Sequence, residues 1–345
     1  MKSKYTFVYN ADLETLLDSL VKKLKESISQ SSISKSLQFV VFGGGYGRGE
    51  GGIFSSQDGT ALYNDLDFFV LANDDATDFD LNEIDLFFAS LSKELGEMVK
   101  IDVDFSKAVK TGYASARMDI MSWREMALCR NVVYGDLQTF EKIFVLNSDK
   151  TEVVESEIMK LAMNRFSGIL YASQRLLESA ELSESDADFI ARNINKALFA
   201  SGDIYLAKSN NLPFKISSRL VEIQKGNYPE DIKIAYKNAT DFKAFPKIHF
   251  SKSDYARAIK SAFDLLKKAF FENKKYLQKR NFKRRIKDFI TNIKLFKDFA
   301  KFKKLTIFAD PKSTLSQIAI ELIESSKTTD KSAIDDYKNI WNKLS

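Results

Sequence analysis

The chain has 345 residues, of which 44% are hydrophobic, four are proline and fourteen are glycine, a composition that supports a sizeable core and disfavours long disordered tracts. Its one cysteine, Cys129, excludes internal disulfides and cysteine-cluster zinc sites, and its one histidine, His249, excludes histidine-based metal sites. The net charge of +5 is unevenly spread: residues 61–110 carry twelve Asp and Glu against four Lys and Arg, and residues 251–310 carry eighteen Lys and Arg against six Asp and Glu. We expect an acidic site in one half and a surface for anionic partners in the other.

The sequence shows no sign of export or of membrane insertion. The N-terminal residues lack the uninterrupted apolar core of a signal peptide. No segment reaches the ~18 apolar residues that a membrane span needs. We therefore expect a cytoplasmic protein without a transmembrane segment, whose ionic chemistry depends on carboxylates, lysines and arginines.

The first 145 residues mix predicted strands with predicted helices. Periodicity and turn signals predict a helix over 11–30, a strand over 37–43, a hairpin over 53–63 that turns at Asp58-Gly59, a strand over 66–72, a helix over 83–98, a strand over 98–106 and a helix over 119–130. This mixture is typical of an α+β domain. We assign that domain to residues 1–145.

Strand patterns fade after residue 150. Helical periodicity covers 155–180, 186–208, 251–279, 282–304 and 313–345, with turn-like breaks at SNNLP and KGNYPED. The sequence therefore predicts an all-α domain over residues 150–345.

Residues 42–52 read FGGGYGRGEGG and follow the apolar run LQFVV. Glycine is costly to order, so such a cluster indicates close backbone approach or positive φ. A strand, a glycine-rich turn and a helix start leave free backbone N–H groups where an anion can sit. Arg48, within the same turn, carries a charge suited to phosphate oxygens. On the glycines alone, an ordinary tight turn is an equally good interpretation.

Two pairs of aspartates follow the glycine cluster. Asp65 and Asp67 lie two apart at the start of a buried strand, so alternation points both side chains to one face. Asp102 and Asp104 repeat this spacing in IDVDF. Carboxylates on one face repel each other unless a cation lies between them, and Mg²⁺ binds through carboxylates together with substrate phosphates. A solvated strand face is the alternative.

The segments GGYGRGEGG and NDLDFFV together resemble the signature of the nucleotidyltransferase superfamily, which includes DNA polymerase beta and the aminoglycoside nucleotidyltransferases. Gly44 and Gly45 match its glycine turn, and Asp65 with Asp67 matches its Asp-x-Asp pair. The lone third acid corresponds to Asp102 or Asp104, and we favour Asp104 because VDFS is closer to the family's context. The interval between turn and pair is longer than usual, which the hairpin can absorb.

The resemblance continues to about residue 220, through WREMALCRNVVYGD and RNINKALFASGDIYL. It implies a mixed β-sheet with flanking helices, followed by an all-α domain, with the acceptor bound between the two. It also implies transfer of a nucleoside monophosphate from an NTP to an acceptor hydroxyl, with release of pyrophosphate. Mg²⁺, or alternatively Mn²⁺, would be held at a two-metal site by Asp65, Asp67 and Asp104, and the glycines would approach the triphosphate.

Two further features are open to more than one interpretation. Lys196 matches a helix whose lysine, in related enzymes, reaches the nucleotide phosphates, although a surface lysine is the simpler explanation. Residues 279–304 interleave basic and apolar residues, which indicates a solvated helix face or a surface for nucleic acid or an anionic membrane. His249 is interpreted as packed or surface-bound, and Cys129 as a core residue. The alternative functions are a non-catalytic, antitoxin-like interaction protein that keeps the fold, and a transferase directed at nucleic acid.

Overall fold

The computed structural model describes residues 3–56, 59–145, 155–277, 282–304, 309–325 and 327–344. The chain packs as two compact units. The N-terminal unit comprises Met1–Val153 with the short segments Phe214–Ile216 and Asp241–Pro246, and the helical unit comprises Val154–Pro213, Ser217–Thr240 and Lys247–Ser345. The sequence does not predict that two segments from the second half belong to the N-terminal unit.

A small mixed sheet forms the centre of the N-terminal unit. Its strands are β1 (Leu37–Phe42), β4 (Leu66–Ala72), β5 (Val103–Phe105), β6 (Val109–Lys110) and β7 (Val132–Tyr134), and a separate ribbon is formed by β2 (Gly52–Ser56) and β3 (Gly59–Tyr63). β1 runs antiparallel to β4 and β7, whereas β4 runs parallel to β5 and β6. The predicted mixture of strands and helices is therefore confirmed.

The helices of this unit cover both faces of the sheet. They are α1 (Ala11–Ser29), α2 (Gly44–Gly47), α3 (Asp78–Val99), α4 (Thr111–Ser115), α5 (Met121–Cys129) and α6 (Leu137–Phe140). On one face, Leu66, Phe68 and Val70 of β4 pack in a core with apolar residues of α1 and α3. On the other face, Phe69 and Leu71 of β4 pack with apolar residues of α5. Alternation along β4 thus leaves Asp67 on the second face, just before Phe69.

The second unit is helical throughout its described residues. Its helices are α7 (Glu155–Glu178), α8 (Glu184–Lys208), α9 (Ile216–Lys225), α10 (Glu230–Ala244), α11 (Lys252–Glu272), α12 (Lys274–Leu277), α13 (Phe282–Lys294), α14 (Phe296–Lys301), α15 (Pro311–Glu324) and α16 (Lys331–Leu344), although Ile216 and the last turn of α10 belong to the N-terminal unit. Inside the unit, the buried Asp203 carboxylate accepts hydrogen bonds from Arg219 at 3.0 Å and from the Tyr236 hydroxyl at 2.8 Å. The predicted all-helical second half is confirmed for these residues.

Several predicted elements need correction. The strand predicted over 98–106 contains only Val103–Phe105, because Met98 and Val99 complete α3 and Val99 lies on its buried face. Helix α3 begins earlier than predicted, at a capping box in which Thr77 and Asp80 bond each other's backbone N–H. No helix is predicted between residues 209 and 250, where the structure forms α9 and α10. The ribbon β2–β3 agrees with the predicted hairpin, but Asp58 lies outside the described residues.

None of the helices in the described part of the chain is both long and apolar enough to cross a bilayer.

Candidate functional site

Three aspartates converge at the start of the parallel strands β4 and β5. Asp65 immediately precedes β4, Asp67 lies within it, and Asp104 lies within β5. The parallel register pairs Asp67 directly with Asp104. One carboxylate oxygen from each of the three residues lies within 4.8 Å of the others. The structure therefore brings together the predicted pair and the favoured third acid.

Backbone geometry fixes this convergence. Asn64 adopts a left-handed conformation (φ 75°) directly before the pair, and asparagine tolerates that region better than most residues. The Leu66 N–H then bonds to the Asp102 carbonyl at 2.9 Å, which starts the ladder between β4 and β5. Asp102 thus contributes its backbone to the register, and its side chain is exposed outside the three-carboxylate cluster.

The electrostatics of the cluster are unfavourable for three anions. Partial burial, followed by the charges of Asp65 and Asp102, raises the pKa of Asp104 above its usual range. Each of these effects disfavours the ionised carboxylate. A cation bound by the cluster would reverse the effect of the neighbouring charges.

The donor set suits a hard divalent cation. Asp65, Asp67 and Asp104 offer only oxygen ligands, which Mg²⁺ and Mn²⁺ prefer over softer donors. Asp65 and Asp104 are exposed and Asp67 is half-buried, so the cluster opens to solvent on one side. The residues present therefore fit the predicted metal.

Gly44 lies directly against Asp67. It has a left-handed backbone (φ 58°), and a Cβ at this position would come within 2.0 Å of Asp67 Oδ2. Only glycine meets both constraints without strain. The Gly43 N–H also bonds to the Asp67 carbonyl at 2.8 Å. The glycine turn is thus fitted to the Asp67 side of the cluster, which explains part of the glycine run.

The first turn of α2 leaves donors available. Within the described residues, the N–H groups of Gly44, Gly45 and Tyr46 donate no backbone hydrogen bond, as is usual in the first turn of a helix. The turn is held by the buried Tyr46 hydroxyl, which accepts from the Tyr63 N–H at 2.7 Å and lies 2.7 Å from the Gly52 carbonyl. Hydrogen bonds with both strands of the ribbon β2–β3 therefore hold the turn in place.

Lys243 is a residue at this turn that the sequence analysis missed. A Cβ on Gly45 would lie 3.1 Å from Lys243 Nζ. The lysine belongs to Asp241–Pro246, one of the segments that pack with the N-terminal unit. Nothing in the local sequence distinguishes Lys243 from the other lysines, because its position depends on a contact across about two hundred residues.

Arg48 is placed differently from a free phosphate ligand. Its side chain is 11% exposed, with Nε 3.6 Å from Glu50 Oε2 and Nη1 3.3 Å from Glu125 Oε2. Glu50 also accepts the Ile216 N–H at 3.0 Å. The guanidinium thus joins the end of α2 to α5, and its predicted contact with phosphate stays a prediction.

Three other residues from the sequence analysis, Lys196, His249 and Cys129, are not part of the carboxylate cluster. Lys196 is exposed on α8 in the helical unit, and His249 is exposed in the same unit. Burial raises the pKa of the Cys129 thiol to about 12, which leaves it protonated and unreactive at neutral pH. Cys129 is therefore structural in the described fold.

Comparison with known proteins adds nothing to the geometry of this site. No protein-family model matches the chain, and no curated protein matches its sequence.

Proposed function

We propose that this protein is a metal-dependent nucleotidyltransferase that transfers a nucleoside monophosphate from an NTP to an acceptor hydroxyl and releases pyrophosphate. One observation carries the proposal. The carboxylates of Asp65, Asp67 and Asp104 converge beside Gly44, a position with positive φ where a Cβ would collide with Asp67. The order of these features along the chain matches the resemblance described above. A mixed sheet flanked by helices is consistent with it.

Asp65, Asp67 and Asp104 would hold Mg²⁺. When bound, the metal would neutralise charge on the phosphoryl oxygens and keep the attacking and leaving oxygens in line. Asp104 has a second role in this proposal. A carboxylate on the metal and within reach of the acceptor hydroxyl can accept its proton, and we assign this role to Asp104.

The glycine turn and Lys243 would bind the triphosphate. The N–H groups of Gly44, Gly45 and Tyr46 provide donors, and the lysine ammonium lies next to Gly45. Together these groups offer hydrogen-bond donors and one positive charge at the turn that lies against Asp67, which favours an anionic substrate. Arg48 would act indirectly in this scheme, by fixing the turn through Glu50 and Glu125.

The test is pyrophosphate release with Mg²⁺, each of the four NTPs labelled at the α-phosphate, and acceptors from four classes: sugars and aminoglycosides, proteins, nucleic acid ends and small alcohols. We expect label transfer to one class, lost in Asp104→Asn, with Asp102→Asn retaining most turnover because its side chain lies outside the cluster. NTP affinity should largely survive in Asp104→Asn if the residue acts on the acceptor.

A non-catalytic protein that binds nucleotide would behave differently. It would bind NTP with Mg²⁺, release no pyrophosphate with any acceptor, and show equal NTP affinity in wild type and Asp104→Asn. That combination would contradict the enzymatic proposal and favour the interaction protein.

A further inference from the structure

Helix α13 (Phe282–Lys294) presents an apolar stripe to solvent. Ile286 is 45% exposed, Ile290 48% and Ile293 53%. Their spacing of four and three residues places all three on one side of the helix. Large aliphatic side chains usually occupy the inward face of a surface helix, so this orientation needs an explanation.

The opposite side of the same helix is polar and buried. Asp288 is 8% exposed and Asn292 3%, and the Asn292 amide donates to the Ala309 carbonyl at 2.8 Å. Leu295, just after the helix, continues this inward face. Within α13, Asp288 and Asn292 therefore lie on the inward side while the three isoleucines point outward. These positions run against ordinary helix amphipathicity.

Four cations border the isoleucine stripe. Arg285, Lys287, Lys294 and Lys297 are exposed, and within the described residues none of them forms an ion pair. Lysines further along the same segment differ, since Lys301 pairs with Asp336 and Lys304 with Glu321. The four basic residues beside the stripe thus form no ion pair in the described part of the chain, whereas Lys301 and Lys304 do.

The three isoleucines and the four basic residues beside them together distinguish among three kinds of partner. A nucleic acid would bind the cations through its phosphates, but it would leave three isoleucines without an apolar surface. A second copy packed on the same stripe would bring eight like charges together, which repel. An anionic bilayer surface satisfies both features, because acyl chains receive the isoleucines while headgroup phosphates meet the cations.

We propose that α13 with Lys297 is a reversible docking surface for anionic membranes, in which Ile286, Ile290 and Ile293 enter the headgroup–acyl boundary and Arg285, Lys287, Lys294 and Lys297 contact acidic headgroups. The inference is independent of the proposed catalytic function. It concerns a helix that would lie in the plane of the membrane surface.

Flotation of the full chain with vesicles tests this surface. We expect binding to vesicles of phosphatidylserine and phosphatidylcholine in equal parts, and little binding to phosphatidylcholine alone. Lys287→Gln with Lys294→Gln should weaken binding roughly 30-fold, from the contribution of each basic residue near an anionic surface. Ile290→Gln with Ile293→Gln should weaken it by at least about tenfold, from the apolar area lost. All four positions are exposed, so the fold should persist.

Control substitutions elsewhere on the surface show whether binding depends on α13 or only on the total charge and hydrophobicity of the protein. Lys208→Gln with Lys225→Gln removes the same charge from exposed positions on α8 and α9, and Ile234→Gln removes an isoleucine that is 55% exposed on α10. Both controls should bind vesicles like wild type. Equal losses in controls and test variants would overturn the proposal.

Two other outcomes would also overturn it. Salt-sensitive binding to DNA or RNA that the lysine changes abolish and the isoleucine changes leave intact, with no vesicle binding, would assign the surface to nucleic acid. A concentration-dependent dimer that Ile290→Gln disrupts, again with no vesicle binding, would assign it to a second copy of the chain.

Discussion

Asp67 and Asp104 occupy directly paired positions on the parallel strands β4 and β5, although their charges repel. The neighbouring pairs explain how the fold maintains this approach. Leu66 pairs with Val103 and Phe68 with Phe105, and the Phe68 and Phe105 rings stack with centroids 5.0 Å apart. A slip of one residue would turn every side chain of β4 to the wrong face. The core therefore holds two carboxylates together that electrostatics alone would separate.

Removing one charge from the cluster should stabilise the metal-free protein. Burial and the charges of Asp65 and Asp102 raise the folded-state pKa of Asp104, so the folded chain binds more protons than the unfolded chain between the two pKa values. Stability then falls as pH rises through that interval and stays lower at neutral pH. Asp104→Asn should raise the free energy of unfolding at pH 7 by a few tenths of a kcal/mol, because solvent screens this exposed group.

Urea unfolding in chelator measures this effect, with Asp75→Asn as the control because Asp75 is exposed and is not among the charges that act on Asp104. Added Mg²⁺ with a non-hydrolysable NTP should remove this difference in stability, because a cation bound by the carboxylates cancels their repulsion in wild type. A variant less stable than wild type in chelator would show that Asp104 is not repelled in the folded state.

The close approach of Gly44 to Asp67 can be separated from the strain of a positive φ. Alanine at Gly44 would bring Cβ within 2.0 Å of Asp67 Oδ2, whereas Gly59 also has a positive φ (124°) but has nothing within 4 Å of a Cβ. Both Gly44→Ala and Gly59→Ala should lose about 1–3 kcal/mol of stability from backbone strain. Only Gly44→Ala should also lose Mg²⁺-dependent NTP binding in calorimetry. Equal nucleotide binding in the two variants would remove the turn from the site.

Lys243 and Lys196 offer a direct comparison between structure and resemblance. Lys243 lies beside Gly45, whereas Lys196 was selected from its sequence context alone. Lys243→Gln should weaken NTP binding roughly tenfold, as expected for one charge-assisted contact of about 1.4 kcal/mol. Lys196→Gln should have a smaller effect. Fluorescence titration with a labelled NTP analogue gives both values, and a larger loss in Lys196→Gln would reverse the assignment.

The sequence predicted the carboxylates well because their pattern is local. Alternation places Asp65 and Asp67 on one face without any knowledge of the fold, and a third acid on the next strand follows from the same periodicity. The choice between Asp102 and Asp104 required the register of β4 against β5, which aligns Asp104 with Asp67.

Features that depend on distant contacts were not predictable. Lys243 reaches the glycine turn through a segment that packs far from its chain neighbours. The contact of Arg48 with Glu125 could not be predicted either, because Glu125 is remote in sequence. The outward isoleucines of α13 were hidden for a similar reason, since periodicity reports that a helix has an apolar side but not which side faces the core.

The N-terminal segment should depend on one buried carboxylate. Glu14 is 8% exposed and accepts hydrogen bonds from the Ser3 hydroxyl at 2.6 Å, the Thr6 hydroxyl at 2.7 Å and the Tyr5 N–H at 3.2 Å. Burial alone would raise the pKa of Glu14, but these hydrogen bonds lower it overall. Its contribution is therefore present above the unfolded pKa of about 4.3 and is lost as pH falls through the lower folded value.

Glu14→Gln should cost about 1–3 kcal/mol at pH 7 and should flatten the decline in stability with acid. The exposed Glu26→Gln on the same helix should stay within about 0.5 kcal/mol of wild type. Thermal unfolding followed between neutral and acidic pH measures both. An unchanged acid profile in Glu14→Gln would contradict the role of this carboxylate.

The central claim is that Asp65, Asp67 and Asp104 form a metal site that serves a nucleotide, and calorimetric titration of a non-hydrolysable NTP with and without Mg²⁺ tests it most directly. The account predicts that wild type and Asp102→Asn bind the NTP only when Mg²⁺ is present. Asp67→Asn should lose at least about 100-fold in that affinity, since even residues that only orient a metal ligand are worth up to that amount. Undiminished Mg²⁺-dependent binding by a folded Asp67→Asn, or NTP binding by wild type that does not depend on Mg²⁺, would contradict it.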